Sequence, residues 1–181
     1  MAVRAPFGPD EGLNSTNVGT ANSTYVSQCL EYGDGTFHKT KLSLQGALPA
    51  IAGGASLAVG RLIYTFPAGN IRILTASLQN VAIKHTQGNI TADTPDLGLG
   101  TVIASGAVAT LDGTATFENI LTGQTMNDCN GTGENATIAS TLTILASAAH
   151  TVHLNVADGW AASGDAAAAI SGDVVITWEF I

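Results

Sequence analysis

A chain of 181 residues with 45% apolar content has room for one domain of sandwich or barrel size with a real core, plus at most a short arm. Fourteen acidic against six basic side chains give a net charge of −8, with no cluster of Lys or Arg. The converging cations that a phosphate backbone demands are therefore missing, which excludes nucleic acid as a partner. Charged residues make up only 11% of the chain, against about a quarter in ordinary domains, and Ala, Thr, Ser, Asn and Gly are abundant. That mixture suits strands joined by tight turns, with part of the surface hidden in an assembly.

Cys29 and Cys129 lie a hundred positions apart, outside any CxxC or Cys/His spacing, so each reads as a small buried or edge thiol. The amino end, MAVRAPFGPDEGLNSTNVG, holds one Arg and no long apolar run, and is not expected to act as a secretory signal. No stretch approaches the roughly 18 uninterrupted apolar residues of a membrane helix, so no membrane partner is expected. The sequons at Asn14, Asn22, Asn89, Asn130 and Asn135 read as by-products of Asn/Thr-rich turns.

Residues 1–22 contain Pro6, Gly8, Pro9, Gly12 and Gly19 and show no sustained periodicity, which predicts an extended amino-terminal arm. Its few apolar residues, Val3, Phe7, Leu13 and Val18, are too scattered for a core but suit anchoring on a partner surface. From residue 24 the texture alternates, and TYVSQCLE, the turn Gly33-Asp34-Gly35 and TFHKTKLSLQG together predict a hairpin whose Lys39/Lys41 face is exposed. Residues 47–60, with Pro49 and the Gly53-Gly54 pair, predict a loop or bulged connection. RLIYTF and IRILTASLQNVAIKHT flank Pro67-Ala68-Gly69-Asn70, the strongest local hairpin signal in the chain. Apolar residues on both parities of the second of these predict a strand covered on both faces for part of its length.

The segment QGNITADTPDLGLGTV predicts a long surface loop, and TVIASGAVATL a return to strand. Residues 114–126 place Phe117, Ile120 and Leu121 at i, i+3 and i+4 before Gly123, the best position for a short helix, with a strand as the alternative. A Gly/Asn-rich turn then leads to Ile138, Leu142 and Ile144 in β-rich texture. At the end of the chain Val152, Leu154 and Val156 alternate with polar residues, and Ile170, Val174, Ile176, Trp178 and Phe180 share one parity. The carboxyl end is therefore expected to be a docked core strand. The whole predicts an all-β chain: an antiparallel, jelly-roll-like β-sandwich over residues 23–181, an arm over 1–22, and at most one short helix.

Little in the sequence points to catalysis. His150 and His153 are three apart, an odd offset that sends two rings to opposite faces of a strand, so they do not make a metal pair. Asp93, Asp96, Asp128, Glu134, Asp158, Asp165 and Asp173 lie near turns, and none has the spacing of a calcium loop; Asp or Asn beside Gly is chiefly a turn former. Gly98-x-Gly100 lacks the third glycine of a dinucleotide loop, and there is no GxSxG. No catalytic residue, metal or cofactor is therefore assigned. Trp178 reads as core. Asp158 and Trp160, in the small-residue loop between the last two strands, are read either as a plug over the sandwich end or as a contact for a partner.

Three pieces of the carboxyl half carry a family likeness: residues 100–106 (GTVIASG), 118–120 (ENI) and 150–160 (HTVHLNVADGW). Over residues 97–181 the chain resembles small virion structural proteins of tailed bacteriophages. The resemblance implies a capsid decoration or cement protein, made in the host cytoplasm and carried on the capsid surface. It would bind the major capsid protein and copies of itself, as a homotrimer or alternatively a dimer, and bridge capsomers by buried area, not by chemistry. The expected contacts are Val3, Arg4, Phe7, Leu13, Val18, Asp158 and Trp160. A phage tail or fibre subunit for host recognition is the alternative, and a small sugar-binding sandwich or enzyme a third reading, which predicts a cleft with convergent polar groups.

Overall fold

The structure, a computed structural model, describes residues 19–33, 36–52, 56–114, 116–139, 142–144, 150–158 and 164–181. Val3, Arg4, Phe7, Leu13, Val18 and Trp160 lie outside these residues. Two antiparallel sheets face each other. One runs in the order β1 (Thr20–Ala21), β4 (Ala58–Thr65), β10 (Thr151–Ala157), β6 (Asp96–Gly100), β7 (Leu121–Thr125). The other runs β2 (Val26–Gly33), β3 (Phe37–Leu44), β11 (Ala169–Phe180), β5 (Ile71–Lys84), β8 (Glu134–Ala139), with β9 (Thr143–Ile144) also on β5. This is the expected all-β sandwich.

The last strand is central. β11 pairs with β3 on one side and β5 on the other, and Ile170, Val174, Ile176 and Trp178 are buried at its even positions. From the opposite sheet Val152, Leu154 and Val156 of β10 enter the same apolar cluster. Trp178 is fully buried: His38 stacks on it at 3.9 Å between ring centroids, and Phe66 and Phe180 meet it edge-on at 5.2 and 5.3 Å. A buried aromatic cluster of this kind adds roughly 1 kcal/mol per ring pair to the burial of its area.

The β2–β3 hairpin forms as expected, with the even residues of β3 buried and Lys39 exposed. The second expected hairpin does not form. β4 and β5 belong to different sheets, and the turn between them crosses the end of the sandwich. Phe66 explains why: it is buried against Tyr64 and Trp178, so the chain dives between the sheets before it turns. A Pro-x-Gly-Asn turn fixes a reversal of direction but not the sheet in which the next strand pairs.

The mixed parity of β5 has a different cause from two-sided cover alone. Register shifts opposite Ile73/Thr75 and Gln79/Ala82 move its inward set from Ile71 and Ile73 to Ala76 and Leu78, then to Val81 and Ile83. Asn80, at φ 53°, lies in the second shift. Ser77 and Ala82 are buried as well.

Three other expectations change. Residues 96–100 form β6, not loop; residues 101–110 form no strand but turns and bends; and residues 116–126 form turns followed by β7, not a helix. A single 3-10 turn, Leu111–Gly113, is the helical content among the described residues. These three corrections share one origin, the flap described next.

Candidate functional site

Strand β10 is buried on both faces, although it belongs to a two-sheet sandwich. Its core face carries Val152, Leu154 and Val156. Its outer face carries Thr151, His153, Asn155 and Ala157, and over these lies a flap formed by residues 101–114 and 116–120. Ala58 of β4 and Ala157 form a second, small apolar cluster with Ala104, Leu111 and Phe117 of the flap. The flap is thus a partial third layer, pinned by apolar contact at its far end.

Asn155 is the fastening. It is fully buried, its Oδ1 accepts from Ala104 N at 2.9 Å, and its Nδ2 donates to Val102 O at 2.9 Å and Phe117 O at 2.7 Å. Three backbone groups that a strand would have satisfied by pairing are satisfied by one side chain, so residues 101–110 need no neighbour strand. Thr151 Oγ1 donates to Thr101 O at 3.2 Å, Asn119 Oδ1 accepts from Thr101 N at 2.9 Å, and Gly106 O accepts from Leu57 N and Ala58 N at 2.9 and 3.0 Å. Two glycines make room. A Cβ on Gly60 would stand 2.1 Å from Asn155 Oδ1, and one on Gly100 2.4 Å from Phe117 O. Glycines that read as loop signals are in fact the floor on which the flap sits.

Held this way, the flap leaves Val102 and Ile103 each 43% exposed. With Ile181 they are the large apolar side chains exposed among the described residues. A rigid backbone that presents apolar groups to solvent loses little entropy when a partner covers them. Asp158, the expected contact that the structure does describe, is linked to the flap through Leu57: its N–H donates to Leu57 O at 3.2 Å, and Leu57 N–H donates to Gly106 O at 2.9 Å.

Beneath the flap His153 is buried, with Nε2 3.0 Å from Thr151 Oγ1. Because that hydroxyl gives its hydrogen to Thr101 O, its oxygen accepts from His153 Nε2–H, and Nδ1 is left buried without a hydrogen-bond partner. Burial accordingly pushes the imidazole pKa down. The ring is a neutral wedge under the flap.

A second polar cluster lies between the sheets. Glu31 of β2, 7% exposed, accepts from Thr40 Oγ1 at 2.8 Å and from the hydroxyl of Tyr64, and Thr40 Oγ1 accepts from Trp178 Nε1 at 2.8 Å. His38 Nδ1 is 3.9 Å from Glu31. Burial first, and then the Glu31 charge, push the Tyr64 hydroxyl well above its ordinary range, so it remains a donor.

Asp128 accepts from Asn130 N at 3.1 Å, the turn-forming contact expected of it. Burial, helped by Asp112 and Asp158 and opposed by a hydrogen bond from Leu111, raises the Asp96 carboxyl. Cys29 and Cys129 are free thiols, pushed up to about 11 and about 12, chiefly by burial. Among the described residues no three His, Cys, Asp or Glu side chains are placed to share a metal ion.

Of the contacts singled out from sequence the structure describes Asp158 alone; Val3, Arg4, Phe7, Leu13, Val18 and Trp160 lie outside the described residues. Val102, Ile103, Asn119, Asn155, Glu31 and Tyr64 were missed. The available signal was Asn155 itself, a polar residue between two apolar neighbours on a strand expected to have one wet face.

No protein-family profile matches the chain, and no curated protein does. Among solved structures, a chain of the cyanophage Pam1 capsid asymmetric unit is 19% identical with a TM-score of 0.43, over 82% of this chain and 89% of that one. An arabinose-bound α-L-arabinofuranosidase is 13% identical with a TM-score of 0.35, over 93% of this chain but 27% of the enzyme. Both TM-scores are too low to assign a common fold or to carry a function across.

Proposed function

We propose that the chain is a structural part of a tailed-phage virion, of the decoration or cement type, that docks on the assembled head as an oligomer. One observation carries the reading. The three stretches that resemble virion structural proteins, residues 100–106, 118–120 and the strand-forming part of 150–160, are distant in sequence but are tied together by Asn155 and Asn119 into one unit. The large apolar side chains that unit leaves exposed are Val102 and Ile103. A stable contact buries on the order of 1,000 Å² or more, which two side chains do not supply, so the ledge is the centre of a larger contact and several copies act together. The amino-terminal segment ahead of β1, with Val3, Arg4, Phe7, Leu13 and Val18, is assigned a second contact, and the loop bearing Asp158 and Trp160 the rim of the first. The partner is the major capsid protein, the location the capsid surface, and the role is structural, without catalysis.

The test is occupancy on purified heads that lack the protein. The wild-type chain is expected to bind. Val102→Asp combined with Ile103→Asp should lower occupancy at least tenfold while leaving the melting temperature nearly unchanged, since exposed substitutions usually stay within ~0.5 kcal/mol. Removal of residues 2 to 20 should also lower it. Full occupancy by the double variant removes the ledge from the reading, full occupancy by the shortened chain removes the arm, and failure of the wild-type chain to bind overturns the whole.

A further inference from the structure

His153 sits where the flap lies on β10, and it is 9% exposed. The site supplies its ring with one partner: Nε2 is 3.0 Å from Thr151 Oγ1, while Nδ1 is buried with no hydrogen-bond partner. The side chains opposite it in the sheet bring none, since Leu62 of β4 is aliphatic and Gly100 of β6 has no side chain. A neutral imidazole tolerates this, with Nε2–H bonded and Nδ1 an idle acceptor. An imidazolium does not, because both nitrogens then donate and one of the two hydrogens is buried without an acceptor. The charged groups of the elements packed around the ring are engaged elsewhere. Arg61 of β4 donates to Ala47 O and lies over the Tyr25 ring, and Asp112 and Glu118 of the flap accept from Thr110 Oγ1 and Gly123 N. Asp96 of β6 stands opposite Ala157 at the far end of β10, within the influence of Asp158. His150, just ahead of β10, is a second imidazole and no counter-charge.

We propose that the flap is an acid-released cover: a proton on His153 lifts it from β10 while the two sheets stay paired. The inference does not rest on the virion reading. Water is the acceptor that a charged ring needs, and the flap is the layer that yields most easily to let it in. β10 is laddered to β4 on one side and β6 on the other, and its core face belongs to the main apolar cluster. The described flap residues form no ladder with β10; Asn155, Thr151 and the small cluster of Leu111 and Phe117 hold them. Thr151 joins ring and flap directly, since its hydroxyl meets His153 Nε2 and donates to Thr101 O. Val102 and Ile103 ride on the flap, so acid also displaces the exposed apolar pair. Burial lowers the proton affinity of the covered ring, and water restores it once the flap is open. Closure is therefore fully favoured above the ordinary imidazole value of about 6.5 and weakens as pH falls below it, by at most about tenfold per pH unit.

Hydrogen exchange of the full chain between about pH 7.5 and about pH 5.5, expressed as protection so that the intrinsic pH dependence cancels, tests the release. The amides to follow are Val102, which donates to Thr116 O, and Ala104, which donates to Asn155. Their protection should fall by roughly 3- to 10-fold toward the acid end, with β11 protection retained. His153→Phe keeps a ring in the space without the titrating nitrogens, and His153→Gln keeps polar ends there without them; in either variant the fall should disappear. The His153 ring signal of the wild-type chain, followed by nuclear magnetic resonance, should titrate below about 6.5. Flap protection that does not change with pH in the wild-type chain, an equal fall in a folded His153 variant, or a ring that titrates at or above about 6.5 overturns the proposal.

Discussion

Asp165 is the side chain on which three loops meet. Its carboxylate accepts from Thr86 N at 2.7 Å, Gln87 N at 2.9 Å, Ala167 N at 2.9 Å and the Thr86 hydroxyl, while its backbone oxygen accepts from Ile51 N at 2.8 Å. Burial alone would raise its pKa, but these donors outweigh burial and bring it down to about 2. The folded state therefore binds fewer protons than the unfolded one between the ordinary aspartate value and about 2. Its contribution is fully present above about pH 4 and is lost as pH falls toward 2. Asp165→Asn should cost about 2 kcal/mol at neutral pH. A melting series from pH 6 to pH 2 should show the wild-type chain losing that advantage over the variant; a constant difference across the window would count against the clamp.

At the scale of elements, β6 and the flap show how local signals mislead when a third layer is present. Gly98 and Gly100 read as loop because glycine is poor in strands, yet they lie in a strand whose outer face is pressed by Leu111 and Phe117. Val102 and Ile103 read as strand because of their β-branched side chains, yet their backbone is held by Asn155 instead of a neighbouring strand. Phe117, Ile120 and Leu121 have helical spacing, but they serve three different contacts: the flap cluster, the core, and β7 against β6. Asn155→Ala removes the fastening and leaves Val102 O, Phe117 O and Ala104 N without partners. It should destabilise the chain by about 3 kcal/mol, a drop of roughly 6–12 °C in melting temperature. Loss of protection confined to residues 101–120 before global unfolding would identify the flap as the part that goes first.

For the whole molecule, the proposed oligomer has a mass that is easily read. Three chains of 18.3 kDa make about 55 kDa, and light scattering on the purified protein should return that value, with a monomer mass sinking the trimer. Low charge content and a net charge of −8 pointed toward a partly covered surface and away from nucleic acid before any strand was placed.

Composition and period-two alternation by themselves determined the all-β class, the β2–β3 hairpin, the inward parities of β10 and β11 and the burial of Trp178 at the end of the chain. Each of these depends on interactions between residues near in sequence, or on the plain requirement that an apolar face be covered. Only the tertiary structure decided that β4 and β5 part company, that β5 changes phase twice, and that a flap lies over β10. Those outcomes rest on Phe66 reaching Trp178, on bulges set by neighbouring strands, and on Asn155 meeting residues about 40 to 50 positions away. The period of a strand says that two faces differ, and it does not say what will come to lie on either. The exposed pair Val102 and Ile103 and the Tyr64–Glu31 hydrogen bond could therefore be found only once the sheets were assembled.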